Sequence, residues 1–171
     1  TAVHAWPHQQ KALGEHPSAG ARDLRSVRKV DFSAPIAKLA GIEKDAYGTR
    51  ASYGLSETFT IAAMLPADAP LELRTRTSGR VLPGMRLRIV DPASGEPLPT
   101  GVPGEIAVKG VTLMRGYYKD AAATAAAFTP DGWLRSGDLG HRDSDGFFFV
   151  TGRIKELIIK GGENIAPREI D

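Results

Sequence analysis

Along residues 85–90 the chain alternates. Met85, Leu87 and Ile89 are apolar, and Arg86 and Arg88 fall between them. Successive strand side chains point to opposite faces, so a period of two predicts a strand with one buried face. Residues 91–96, Asp-Pro-Ala-Ser-Gly-Glu, read as the turn that follows. Residues 104–109 predict a second strand with Ile106 and Val108 inward. Asp120 is placed to cap an alanine-rich helix running to Phe128. Asp145-Gly146 signals a tight hairpin into a strand over 147–150. Short strands joined by Gly and Pro turns predict a β-rich, barrel-like subdomain over 77–152.

Residues 1–76 have a different texture. Pro7 suits the first turn of a helix, where no N–H is needed, and residues 8–16 read as that helix, with Ala12 and Leu13 toward its buried side. Residues 17–20 break it. Val27, Val30 and Phe32 suggest a short strand. Pro35 opens a second helical stretch over 36–39 that ends near Gly41. Tyr53-Gly54 marks a turn, the apolar run 59–65 is compatible with a buried strand, and 66–82 reads as a loop rich in Pro, Ala and Arg. This mixture fits a remnant of an α/β subdomain. After Gly152 the pattern changes again. Residues 156–160 read as a strand, Gly161-Gly162 as a turn, and Pro167 as the opening of a helix that Asp171 cuts short. Residues 153–171 therefore read as the first hairpin of a C-terminal α+β domain, and the fold class as α+β.

Composition narrows the partners. The 171 residues are 42% apolar and 25% charged, ordinary for a globular chain with one real core. A formal net charge of +2 gives no reason to expect nucleic acid. With no cysteine there is no disulfide, thiolate metal site or cysteine nucleophile. No apolar run approaches the ~20 residues of a membrane span. The first residues lack the pattern of a signal peptide, and they lack a methionine, so the expectation is a segment of a longer cytoplasmic protein.

Two clusters carry candidate chemistry. In Tyr53-Gly54-Leu55-Ser56-Glu57 an aromatic ring offers a face to a purine, and glycine permits close backbone approach. The Ser56 hydroxyl suits a phosphate oxygen, and the Glu57 carboxylate suits Mg2+. A plain turn before a strand has the same composition. In Ser136-Gly137-Asp138-Leu139-Gly140 the aspartate could accept hydrogen bonds from a ribose diol, or simply make an Asx-turn.

These two stretches, with Thr151-Gly152-Arg153-Ile154-Lys155-Glu156 after them, resemble the adenylate-forming (AMP-binding) superfamily, most closely its acyl-CoA ligases. The resemblance implies that Tyr53 stacks adenine, with Gly54 beside it, that Ser56 touches the α-phosphate and that Glu57 holds the metal. It implies ribose contacts from Asp138, and a second ribose or phosphate contact from Arg153. Lys155 falls at the family's hinge, and Gly161 and Gly162 match a turn beside the pantetheine arm of coenzyme A. Ser56 and Ser136 stand where the family has threonine, and Phe32 stands where a glycine is common. The family's phosphate loop and its later adenylating lysine are not in the sequence. The resemblance thus implies a piece of an ATP- and Mg2+-dependent ligase. That enzyme would activate a carboxylic acid, expected to be fatty, and pass it to coenzyme A. Its further partners would be the missing N- and C-terminal parts of the same enzyme, and the chain alone is not expected to complete the reaction. The alternatives are an adenylation domain that loads a carrier protein, and a non-catalytic fragment.

Overall fold

The computed structural model describes Val3, Ala5 and residues 7–44, 52–66, 68–154, 158–160 and 163–165. The chain divides into two units. One comprises Thr1–Ala51 with Leu65–Arg76, and the other Ser52–Met64 with Thr77–Asp171. Residues 52–64, grouped by sequence with what precedes them, thus pack with the later unit.

The regular elements described in the first unit are helices. Helix α1 is Pro7–Glu15 and α2 is Pro35–Leu39, each opening on proline, which gives up no hydrogen bond there. A single-turn 3-10 helix, Ala19–Ala21, follows α1. Val27, Val30, Ile36 and Ala37 are buried together. A Cβ on Gly14 would lie 2.6 Å from the Ile36 backbone nitrogen, so only glycine allows this approach of α1 to α2. The buried Gln10 amide donates to the Ala5 carbonyl at 2.8 Å and accepts the Asp31 N–H at 3.2 Å.

Three expectations fail in this unit. Ala12 and Leu13, expected on the buried side of α1, are exposed, and Gln10 is the buried residue of that helix instead. The strand suggested by Val27, Val30 and Phe32 does not form. Turns take its place, with Val27 N–H bonded to the Leu24 carbonyl and Ala34 N–H to that of Asp31. Burial of Val27 and Val30 at a spacing of three reflects the turn, and Phe32 is exposed. Helix α3, Leu71–Arg76, lies in the stretch read as loop. Its Arg74 is buried, with Nε donating to the Ala69 carbonyl at 2.7 Å, so a charged residue takes the inward position of this short helix.

The second unit is built on an antiparallel sheet of β4 (Met85–Val90), β5 (Gly104–Gly110), β6 (Leu134–Arg142) and β7 (Phe148–Arg153), in that order. The order is linear, so these four strands form an open sheet and not a closed barrel. Strands β1 (Ser52–Tyr53), β2 (Ala63–Met64) and β3 (Arg80–Val81) make a small second sheet. Strands β8 (Ile158–Lys160) and β9 (Glu163–Ile165) pair as a hairpin. Helix α4, Ala121–Ala127, is capped as expected: Asp120 accepts the Ala123 N–H at 2.8 Å. No helix among the described residues is long and apolar enough to cross a membrane.

The alternation in β4 is realised. Met85, Leu87 and Ile89 are buried and join Tyr53, Ala62, Ala63, Ile106, Val108 and Phe148 in one core. The 91–96 turn closes on Asp91, whose Oδ1 accepts the N–H groups of Ala93 and Ser94, and these bonds hold its carboxyl below the usual range. The β6–β7 hairpin turns at Asp145-Gly146, with Asp143 Oδ1 accepting the Phe147 N–H at 2.8 Å.

The apolar run 59–65 is a strand only at Ala63–Met64. Before it, residues 56–58 wind into a 3-10 turn, and Phe59 and Thr60 take positive φ of 53° and 79°. The fully buried Thr58 hydroxyl causes this turn. It accepts the Leu55 N–H at 2.9 Å and donates to the Leu55 carbonyl at 3.0 Å. The returning chain passes so close that a Cβ on Gly54 would sit 2.1 Å from the Thr60 carbonyl oxygen.

Strand β6 contains the entire 136–140 motif, and its pairing slips at a bulge between Leu139 and Gly140. A Cβ on Gly140 would lie 2.2 Å from the Phe149 carbonyl oxygen. Gly140→Ala is therefore expected to cost about 1–3 kcal/mol, the range for overpacking. Urea unfolding of the chain checks this, and an unchanged midpoint would show that the bulge can relax.

Candidate functional site

The site begins with the register of β6 on β7. The bulge at Leu139 and Gly140 sets Asp138 directly opposite Arg153. Asp138 is only 5% exposed. Its Oδ1 accepts Arg153 Nε at 2.8 Å, and its Oδ2 accepts the Tyr53 hydroxyl at 2.9 Å. The structure therefore joins three of the residues that sequence singled out, from β1, β6 and β7. Each carboxylate oxygen keeps a further lone pair for an incoming hydroxyl. The Arg153 side chain is 59% exposed, so one edge of the group meets solvent.

Tyr53 is only 7% exposed, and its ring belongs to the core of the sheet unit. In this arrangement the ring does not present an open face. Its hydroxyl orients Asp138. Burial, followed by the negative charge of Asp138, pushes its phenol well above the ordinary tyrosine range.

A second layer holds the Asp138 backbone. Gly137 has φ +74°, and its N–H donates to Glu105 Oε1 at 2.9 Å. The Ser136 hydroxyl donates to the Ile106 carbonyl at 2.6 Å and accepts the Asp138 N–H at 3.0 Å. Ser136 thus fixes the motif with its hydroxyl alone. Glu105 is 2% exposed, and its Oε2 receives Arg135 Nε at 2.9 Å and an Arg135 terminal nitrogen. Sequence reasoning passed over Glu105 and Arg135. The available signal was a carboxylate inside the run Gly104-Glu105-Ile106-Ala107-Val108, since buried glutamates are rare unless paired.

Ser56 and Glu57 lie on the 3-10 turn before β2. Ser56 is exposed and Glu57 half-buried. Glu57 Oε1 accepts the Tyr117 hydroxyl at 2.8 Å, a bond that raises the Tyr117 phenol above its ordinary value. Among the described residues no group of three or more His, Asp or Glu is disposed to hold a metal. A single carboxylate still fits Mg2+, which keeps several waters and commonly shares its shell with substrate phosphates. Lys155, Gly161 and Gly162 lie outside the described residues.

The arrangement is a sheet-borne carboxylate and guanidinium pair, with a tyrosine hydroxyl on the pair and a separate surface carboxylate on a tight turn. A family model described as AMP-binding enzyme matches residues 1–118, more than half of the chain. The chain belongs to this adenylate-forming family. It is 52% identical over 124 residues to the sulfoacetate–CoA ligase of Cupriavidus necator, a match covering 72% of the chain and 24% of that protein. It is 38% identical over 169 residues to the indoleacetate–CoA ligase of Aromatoleum aromaticum, covering 96% of the chain and 32% of that protein. Among solved structures it resembles ATP-bound MatB from Rhodopseudomonas palustris, with a TM-score of 0.74 and 29% identity over 99% of the chain and 34% of MatB. The chain thus spans between a quarter and a third of the length of these relatives.

The buried phenol gives a pH prediction. Tyr53 holds its proton in the folded chain beyond the pH, about 10, at which an unfolded tyrosine releases it. Below that pH its titration leaves stability unaffected. Above it the unfolded chain sheds a proton that the folded chain keeps, so stability falls, by up to about 1.4 kcal/mol per pH unit. Tyr53→Phe is expected to flatten this decline in urea unfolding between about pH 9 and 11.5. A variant with the wild-type slope would place the alkaline sensitivity elsewhere.

Proposed function

We propose that the chain is part of an ATP-dependent ligase that activates a carboxylic acid as its acyl-adenylate and then transfers the acyl group to coenzyme A. The observation that carries this reading is the convergence of Tyr53 and Arg153 on the buried Asp138 carboxylate. Family membership supplies the nucleotide that such a group would grip. The names of the relatives support an acid–CoA ligase, and they give no support to a fatty acid, so the substrate class proposed is a carboxylic acid. A cytoplasmic location accords with ATP and coenzyme A as substrates.

In this reading Asp138 accepts the ribose hydroxyls through its remaining lone pairs, while Arg153 balances its charge and reaches toward ribose or phosphate. Tyr53 keeps Asp138 in place and takes the adenine side of the site, with Gly54 beside it. Ser56, exposed on its turn, donates to the α-phosphate. Glu57 is the ligand for Mg2+, which would neutralise phosphate charge as the acid carboxylate attacks the α-phosphorus. The remainder of catalysis is positioning. Lys155 serves as the pivot between the two half-reactions, and Gly161 and Gly162 line the path of the pantetheine arm.

Two measurements on the full-length enzyme test this. Asp138→Ala is expected to weaken ATP binding about tenfold or more, since hydrogen bonds to a charged group contribute about 1.5–3 kcal/mol. Binding of the 2′,3′-dideoxy analogue should barely change. Equal losses for both nucleotides would make Asp138 a structural residue. Lys155→Pro, which fixes φ near −65°, is expected to spare ATP–pyrophosphate exchange and to stop thioester formation. Persistence of both activities would remove the pivot from the mechanism.

A further inference from the structure

One segment grips Glu57 from two directions. The Glu57 backbone carbonyl accepts the Met114 N–H at 2.7 Å, and its carboxylate accepts the Tyr117 hydroxyl at 2.8 Å. Tyr117 lies sixty positions along the chain, so the contact is tertiary. The tyrosine is itself tethered. Its N–H donates to Thr124 Oγ1 at 2.9 Å, and the Thr124 hydroxyl donates to the Asp120 carbonyl at 2.7 Å. Asp120 is the cap of α4. Gly116 completes the tether: a Cβ there would meet Thr124 Cγ2 at 2.8 Å, so the segment and the helix approach as only glycine permits.

A glutamate on a surface turn ordinarily samples many rotamers, and holding one has an entropic cost when a cation arrives. Here a phenol on a tethered segment holds it beforehand. The hydrogen bond uses one of roughly four lone-pair positions on the carboxylate. The others remain for a cation.

We propose that Tyr117 is a positioning residue for the divalent cation: its hydroxyl fixes the Glu57 carboxylate in the orientation that takes Mg2+ beside the nucleotide phosphates. The inference rests on the reading of Glu57 as the metal ligand. Hydrogen-bond partners of metal-binding carboxylates typically change metal affinity 10–100-fold when removed. Tyr117 is 41% exposed, where water partly replaces a lost hydroxyl, so the low end of about tenfold is expected.

The test uses the full-length enzyme with an ATP analogue whose α,β bond cannot be cleaved, and reads Mn2+ binding by electron paramagnetic resonance. Four proteins are compared: wild type, Tyr117→Phe, Glu57→Gln and the double variant. Tyr117→Phe is expected to weaken Mn2+ binding about tenfold. It should leave the melting temperature and metal-free nucleotide binding unchanged, and it should add nothing in the Glu57→Gln background. If Glu57→Gln loses Mn2+ while Tyr117→Phe binds it like wild type, the positioning role is wrong and the ligand role of Glu57 stands. If Glu57→Gln itself binds Mn2+ like wild type, the ligand reading falls, and the positioning role with it. An additive double variant would show that Tyr117 acts through some other group, which also overturns the proposal.

Discussion

A carboxylate that is 2% exposed must have its charge answered on the spot, and in this chain Glu105 is answered by Arg135 and by the Gly137 N–H. That requirement organises much of the sheet unit. Glu105 is on β5, and both of its partners are on β6, so the pairing locks the two central strands at the place where their register shifts between Glu105 and Ala107. The residue after Gly137 is Asp138. The central strand pair thereby determines where the second buried carboxylate stands, and the β6–β7 register then brings Arg153 to it. Removing Arg135 would leave the buried Glu105 charge without its cation beneath the site, a defect that typically costs about 3–5 kcal/mol.

The parts of the fold legible in the sequence are those where one physical effect dominates. In β4 alternation alone decides the strand, because one face is apolar and the other carries arginine. Prolines announce α1 and α2, and Asp120 announces α4. Where several effects compete, the pattern misleads. Strand β6 carries two glycines and a serine in five residues, so it reads as a turn. It is a strand because Ser136 and Gly137 are bound by β5. Residues 59–65 look like one apolar strand, yet Thr58 bends the chain before it and leaves Phe59 exposed.

The candidate site shows the same division. Asp138 and Arg153 were legible because each sits in a motif of fixed spacing. Their pairing with Tyr53, whose hydroxyl arrives from 85 positions away, depends on three strands meeting, and no local pattern encodes that. Tyr53 was expected to offer a face to a purine, and in the structure its ring lies in the core while its hydroxyl reaches Asp138. Glu105 and Arg135 touch no expected ligand, and the one local sign of the pair is a carboxylate set in the apolar run 104–108.

The division of the chain into interleaved units has a consequence for how the protein reaches its native state. The backbone passes from one unit to the other after Ala51, after Met64 and again after Arg76. The sheet unit cannot complete its core from residues after Arg76 alone, because Tyr53, Ala62 and Ala63 are supplied by the earlier excursion. Its assembly must await closure of a long loop whose entropy is lost before the contacts that reward it are made. The order of events during synthesis follows from this. The Tyr53 segment leaves the ribosome well before the strands that will cover it. Until β4, β5 and Phe148 emerge, the side chains of Tyr53, Ala62 and Ala63 lack the core that buries them.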